Sequence, residues 1–235
     1  MPAAWDDPRV QRAMPIQLAR RRARIAGGDA PLGWKVGFGA PAALEKFKLA
    51  APLVGHLMQS GHVANGGRVS LAGWTKPIAE PEIAITIGHD LAPGGGRAAA
   101  AAAIAALSPA IELADADLPF EDPEAILAGN IFQRHVVLGA PDTARAGGDT
   151  HGLHARVFRR GAESARTDDP EALTGRLVDI VRHVADLLGA FGERLTQGEI
   201  IIAGSVVPPL FLEPDETEVR YELAAVGGVA VSFER

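Results

Sequence analysis

The chain reads as an α+β protein that is mostly β, with a helical N-terminal arm leading into a strand-rich body. Three observations predict this. Strand-like runs recur at regular intervals beyond residue 66, a helical pattern fills the start of the chain, and only three further helical segments interrupt the strands. With 235 residues, 47% of them hydrophobic, the chain has ample apolar material for a core.

Asp7-Pro8 has the form of a helix cap followed by proline at the first helical position, and Gly27-Gly28 supplies the stop, with Pro15 kinking or restarting the helix between them. Arg20, Arg21, Arg22 and Arg24 read as the wet side of this helix, an anion site being the alternative. Gly33-Trp-Lys-Val-Gly-Phe-Gly39 is a short apolar strand with one lysine at its centre, and 42–49 resembles a short helix. These elements form an N-terminal portion, 1–65, ahead of a β body, 66–235. Strands are expected around 69–71, 78–87, 109–116, 132–138, 153–159, 199–203, 218–224 and 229–233. The interrupting helices are an alanine-rich 98–107, a short one opened by Asp122-Pro123 and a longer one opened by Asp169-Pro170. In the last, Leu173, Leu177, Ile180, Val184 and Leu188 make one apolar stripe, ended near Gly189. That stripe is core packing.

Several function classes fall away on composition. The chain has no cysteine, which removes disulfides, thiolate zinc sites and a cysteine nucleophile. A net charge of -6 argues against a general nucleic-acid partner. The N-terminus opens with acids instead of a signal-peptide layout, and the longest apolar tract is far too short to span a bilayer, so no membrane role and a cytoplasmic location are expected. Gly94-Gly95-Gly96 lacks the lysine and hydroxyl residue of a phosphate loop, and Gly37-Phe-Gly39 lacks the third glycine of a dinucleotide fingerprint.

The chemistry concentrates in Ile78-Ala-Glu-Pro-Glu-Ile-Ala-Ile-Thr-Ile87. Glu80 and Glu82 stand two apart, on one strand face, while Ile83, Ile85 and Ile87 occupy the other. About 30 residues later Glu112 is the lone charge in Pro109-Ala-Ile-Glu-Leu-Ala-Asp115. A single such acid reads as an exposed or paired carboxylate. Three on two apolar strands repel one another unless a cation joins them, and three carboxylate oxygens with waters suit octahedral Mg²⁺ or Mn²⁺. Lys35 between Trp34 and Val36 is either a lysine reaching out to solvent or, beside such a cluster, a desolvated proton carrier. Gly204-Ser205, after a buried strand, reads equally as a plain turn or as a grip on a substrate carboxylate by Ser205 and nearby backbone N–H groups. The seven histidines are not spaced as ligands; His56 and His62 are kept because a histidine–carboxylate pair near a metal would activate water for hydrolysis.

Gly33-Trp-Lys35-Val-Gly37, Glu80-Pro-Glu82, Pro109-Ala-Ile-Glu112-Leu-Ala-Asp115 and Gly204-Ser205, in this order, resemble the 2-keto-4-pentenoate hydratase and 4-oxalocrotonate decarboxylase branch of the fumarylacetoacetate hydrolase superfamily. The resemblance implies a mixed β-sheet roll with a smaller helical N-terminal portion. It implies Glu80, Glu82 and Glu112 as ligands of Mg²⁺ or Mn²⁺, Lys35 as the catalytic lysine, and Gly204 and Ser205 at the substrate. The activity it implies is a lyase, most often a hydratase, on a small 2-oxo or 2-hydroxydienoic acid; a decarboxylase, a C–C bond hydrolase and a metal-binding scaffold without turnover are the rivals. A homo-oligomer is also implied. This chain departs from the family pattern at Leu53 and Gly129, where acids are common, and at Asp117, where an arginine is common.

Overall fold

The computed structural model describes residues 3–235. In chain order its helices are α1 (Pro8–Ala26), α2 (Pro41–Phe47), α3 (Arg97–Ala103), α4 (Pro123–Ala128) and α5 (Leu177–Ala190). The strands are β1 (Pro31–Gly37), β2 (Leu53–Met58), β3 (His62–Val63), β4 (Arg68–Ser70), β5 (Pro77–Ile87), β6 (Ile104–Asp115) and β7 (Gln133–Leu138), followed by β8 (Ala155–Arg159), β9 (Ala162–Thr167), β10 (Ile200–Ser205), β11 (Leu210–Phe211), β12 (Glu218–Leu223) and β13 (Gly227–Glu234). An eight-stranded mixed sheet runs β2-β1-β10-β5-β6-β7-β3 with β11 also paired to β5, and a five-stranded sheet runs β4-β13-β12-β8-β9. The second sheet packs across β6 and β7.

The long pair β5–β6 is the backbone of the roll. Ile83, Ile85 and Ile87 are essentially inaccessible and belong to the main core, as the alternation of the sequence requires. The opposite face of the same strands is also covered, because the sheet curls on itself. There Ala84, Ala110, Val136, Ile202, Leu57 and Leu32 form a second small apolar cluster. The acids therefore sit on the inner face of a roll whose floor is apolar.

Pro81 lies in the interior of β5, where a missing N–H ought to break a ladder bond. The position is compatible because the neighbouring strand has already departed. β10 loses register with β5 between Ile202 and Ser205, and β11 resumes the pairing at Leu210↔Ala79. The sheet is split at the proline, and the split opens beside Glu80 and Glu82.

The N-terminal portion contributes β1 and β2 to this same sheet, so Lys35 enters on a strand hydrogen-bonded to β10. α1 runs unbroken through Pro15, with Asp7 Oδ1 accepting from the Arg9 N–H at 2.8 Å as the expected cap. Of its arginines Arg20, Arg22 and Arg24 are exposed, as a wet helix side requires, and only Arg21 departs from that expectation. Arg21 is buried over the Trp34 ring, 4.6 Å from its centroid, and lies near Glu193 and Glu199, while Arg20 donates to the Ala128 carbonyl, Arg22 to Glu193 and Arg24 to Asp29. They fasten the arm to the roll.

Two helical expectations change. The alanine-rich helix ends at Ala103, and 104–107 are strand, because Ile104 to Ala106 find ladder partners on β5 opposite Ile87 and Thr86. The helix expected from Asp169-Pro170 starts only at Leu177: Asp169 caps a local turn by accepting from the Glu171 N–H, and Gly175 at φ +82° takes the chain out of helical geometry. Strands β2, β3, β9 and β11 are additional to those expected. No helix among the described residues is long and apolar enough to cross a membrane.

Gly33 marks the tightest backbone approach in the sheet. A Cβ there would lie 2.0 Å from the Ile200 carbonyl oxygen, at a φ of +152°. Gly33→Ala is expected to destabilise the protein by about 3 kcal/mol or more, or to block folding. Urea unfolding of the purified variant checks this, and an unchanged midpoint would contradict it.

Candidate metal centre

The β5–β6 register sets Glu80 directly opposite Glu112 and Glu82 opposite Ala110. Carboxylate oxygens of Glu80, Glu82 and Glu112 all lie within 4.8 Å of one another. Glu82 and Glu112 are fully buried, and Glu80 is half-buried at the base of a cavity. The sequence's three acids are thus brought to one point.

Each carboxylate keeps free valence. Lys35 Nζ pairs with Oε1 of Glu112, while Oε2 of Glu112 is buried with no hydrogen-bond partner. Oε2 of Glu82 accepts from the Gly204 N–H at 2.6 Å. Three carboxylates against one ammonium leave two negative charges uncompensated. Burial, with the Glu112 charge adding to it, pushes the Glu80 carboxyl up to about 7, and burial with the charges of Glu112 and Glu80 raises Glu82 well above the ordinary carboxylate range. An orphaned buried oxygen, two strained carboxyls and a deficit of two positive charges fit a hard divalent cation.

Lys35 is held from two sides. Its Nζ also donates to the Ile131 carbonyl at 3.0 Å. That carbonyl is presented by an arch in which Asn130, Ile131 and Phe132 all have positive φ, at 68°, 53° and 63°. A β-branched residue there is a steric outlier, so the surroundings must enforce it. Asn130 does so by accepting from the His56 N–H at 2.7 Å and donating to the His56 carbonyl at 2.9 Å. Gly55 leaves room for both: a Cβ on it would meet Asn130 Oδ1 at 2.8 Å and Lys35 Cγ at 2.9 Å. Sequence reasoning missed this arch. The Gly129-Asn130 pair after a short helix is the signal that would have suggested a left-handed turn.

Gly204 and Ser205 both line the cavity. The Gly204 N–H is engaged by Glu82, and Ser205 Oγ lies 3.4 Å from the Pro81 carbonyl it donates to. His56 and His62 do not line the cavity. His56 is buried with Nδ1 at 3.5 Å from Gln17 Oε1, and burial pushes its ring down to about 3, while His62 is exposed. Tyr221, from the second sheet, is fully buried, and burial together with the Glu82 charge holds its hydroxyl protonated.

No family model matches the chain. Among curated proteins it is 30% identical over 224 residues to a 2-hydroxyhexa-2,4-dienoate hydratase of Comamonas testosteroni, an alignment covering 93% of this chain and 83% of that protein. The chain belongs to the 2-keto-4-pentenoate hydratase and 4-oxalocrotonate decarboxylase branch of the fumarylacetoacetate hydrolase superfamily. Another member of this hydratase–decarboxylase branch, a 4-oxalocrotonate decarboxylase of Pseudomonas sp, is 28% identical over 95% of the chain and 86% of its own length. The branch's fold is also found by structure. A 4-oxalocrotonate decarboxylase from Pseudomonas putida G7, complexed with magnesium and adipate, superposes with a TM-score of 0.84 at 23% identity, over 93% of this chain and 83% of that one. A fumarylpyruvate hydrolase from Pseudomonas aeruginosa, in complex with Mn²⁺ and pyruvate, gives 0.68 at 15% identity over 85% and 88%. The mixed β-roll expected from the sequence is the fold of this superfamily.

The sign of the Glu80 effect is testable without metal. A carboxyl raised from 4.5 to about 7 in the fold contributes stability that is full below pH 4.5 and is lost as pH rises through 7. His56 acts in the opposite sense, losing stability as pH falls below 6.5. Comparison with Glu80→Gln cancels the histidine. With EDTA present, the variant should melt above the parent at pH 8 and lose that advantage by pH 4.5; differential scanning fluorimetry reads the difference, and equal offsets at both pH values would refute the electrostatic account.

Proposed function

We propose that this chain is a divalent-metal-dependent lyase, a hydratase acting on a small 2-oxo or 2-hydroxydienoic acid. The observation carrying the proposal is the charge balance of the buried cluster: three carboxylates with free oxygens, one ammonium, and a cavity opening directly onto them. Glu80, Glu82 and Glu112 would hold Mg²⁺ or Mn²⁺, the metals present in solved structures of proteins with this fold. A divalent ion there supplies Lewis-acid polarisation of a substrate's 2-oxo group.

The protein's own residues supply the rest. Lys35 holds a proton at Nζ between Glu112 Oε1 and the Ile131 carbonyl, and it lines the cavity. In that position it can relay protons: a diene carbon is protonated as the 2-hydroxyl proton leaves, and when water adds across the remaining conjugated alkene its hydroxide goes to one carbon and its proton to the other. Gly204 and Ser205, beside Glu82, border the place for the substrate's head. The apolar floor under the acids keeps bulk water from the centre. Decarboxylation is the second reading, favoured by the similarity to a 4-oxalocrotonate decarboxylase over nearly the whole chain. The hydrolase alternative finds no support from His56 or His62, neither of which lines the cavity. Association into a homo-oligomer belongs to the same proposal.

Loss of the ultraviolet absorbance of 2-hydroxypenta-2,4-dienoate, with Mg²⁺ or Mn²⁺ against EDTA, tests hydration, and CO₂ release from 4-oxalocrotonate tests decarboxylation. Saturating metal, at a hundredfold excess over Kd, should stabilise the parent by about 2.7 kcal/mol. Glu82→Gln and Glu112→Gln should each remove that stabilisation. Lys35→Met should keep it and lower turnover by about 10²- to 10⁴-fold. Undiminished metal stabilisation in Glu112→Gln, or no turnover of either substrate, would defeat the proposal.

A further inference from the structure

The cavity of about 390 Å³ is lined by Lys35 and Glu80 and, for much of the rest, by aromatic rings. Phe38, Phe47, Phe120, Phe132 and Phe211 line it, five of the chain's eight phenylalanines. Four of the rings form a continuous wall: Phe47 to Phe38 at 5.1 Å between centroids, Phe38 to Phe132 at 6.5 Å, and Phe132 to Phe120 at 5.4 Å. Phe211 stands at the rim with 43% of its surface exposed. Lys76 bridges it to the wall, its Nζ lying 4.6 Å from the Phe211 centroid and 5.3 Å from that of Phe120.

Beyond Lys35 and Glu80, the side chains lining the cavity include only three polar ones: Thr174, Ser205 and Lys46. Thr174 spends its hydroxyl on the carbonyls of Pro170 and Gly175, and Ser205 spends its own on Pro81. Lys46 is exposed, with Nζ 5.2 Å from the Phe47 centroid. Lys46 and Lys76 are the cations that reach the ring wall, and both are exposed and seated over ring faces; no buried hydrogen-bond donor is held there to receive an anion. Aromatic faces are negative, and a carboxylate laid against them loses its hydration without a partner. An alkyl or aryl group there gains contact area instead.

We infer that the site takes a 2-oxo or 2-hydroxydienoic acid whose far end is an apolar chain or ring, because beyond Lys35 and Glu80 the cavity is lined chiefly by phenylalanines and aliphatic groups with no further buried cation. The inference rests on the proposed reading of the glutamate centre as the seat of the substrate's carboxylate and 2-oxo group. It separates this chain's preferred substrate from dicarboxylates.

Calorimetric titration of the Mg²⁺-loaded full chain with pyruvate, 2-oxobutanoate, 2-oxohexanoate and 2-oxoadipate tests it. All share the head and differ only in the tail. Affinity should rise by up to about fourfold per added methylene along the monoacids. 2-Oxoadipate, with the chain length of 2-oxohexanoate and a terminal carboxylate, should bind at least about tenfold more weakly than it. Phe211→Ala, which truncates an already exposed ring and leaves the core intact, should reduce the 2-oxohexanoate-to-pyruvate affinity ratio. Equal or tighter binding of 2-oxoadipate would overturn the inference, and its loss in Lys46→Ala or Lys76→Ala would assign that lysine to a distal carboxylate. Metal-dependent binding of pyruvate with no tail effect would overturn this inference alone. If pyruvate itself fails to bind in a metal-dependent way, the reading of the centre falls and the inference with it.

Discussion

Like charge buried on the inner face of a curled sheet is the constraint around which the rest of this molecule is arranged. Glu80 and Glu112 face each other across adjacent strands, with Glu82 one pleat away, and burial together with their mutual field makes Glu80 and Glu82 poor acids. Nothing in the strands relieves this locally. The isoleucine row on the opposite face fixes the register, since a slip of one residue would send the acids into the core and the isoleucines into the roll. The cost of the arrangement is met by Lys35, by the Gly204 N–H and, in the proposed function, by a divalent ion.

The supports of this cluster come from distant parts of the chain. Lys35 is carried by β1, steadied by a left-handed arch before β7, and the arch is held by the backbone of His56 on β2. Gly204 reaches Glu82 because β10 leaves its register at the place where Pro81 has no N–H to offer. The break that weakens the sheet is the same break that gives the acids an opening. Charge and aromatic surface line one cavity together.

Much of this was legible in the sequence, and the parts that were not share a cause. The i, i+2 spacing of Glu80 and Glu82 and the opposing isoleucines are local, so the face they share follows from strand geometry alone. Glu112 was visible as a charge in an apolar run. The alanine stretch misled because alanine's helix propensity is decisive only where no ladder competes, and Ile104 to Ala106 had β5 waiting. Arg21 alone among the arginines of α1 departs from the solvated reading, because the Trp34 ring that receives it lies on β1 and its glutamates, Glu193 and Glu199, more than a hundred residues away. The phenylalanine wall was invisible for the same reason: its members come from loops and elements scattered between residues 38 and 211.

By itself the sequence determined the class of fold, the strand face bearing two acids, the third acid and the lysine, because each depends on periodicity or on the company of near neighbours. Tertiary structure alone decided that these four groups meet within a few ångströms, that Asn130 and Ile131 brace the lysine, that His56 points away from the cavity, and that the far wall is aromatic. Those facts depend on register between non-adjacent strands and on backbone conformations that no local propensity favours.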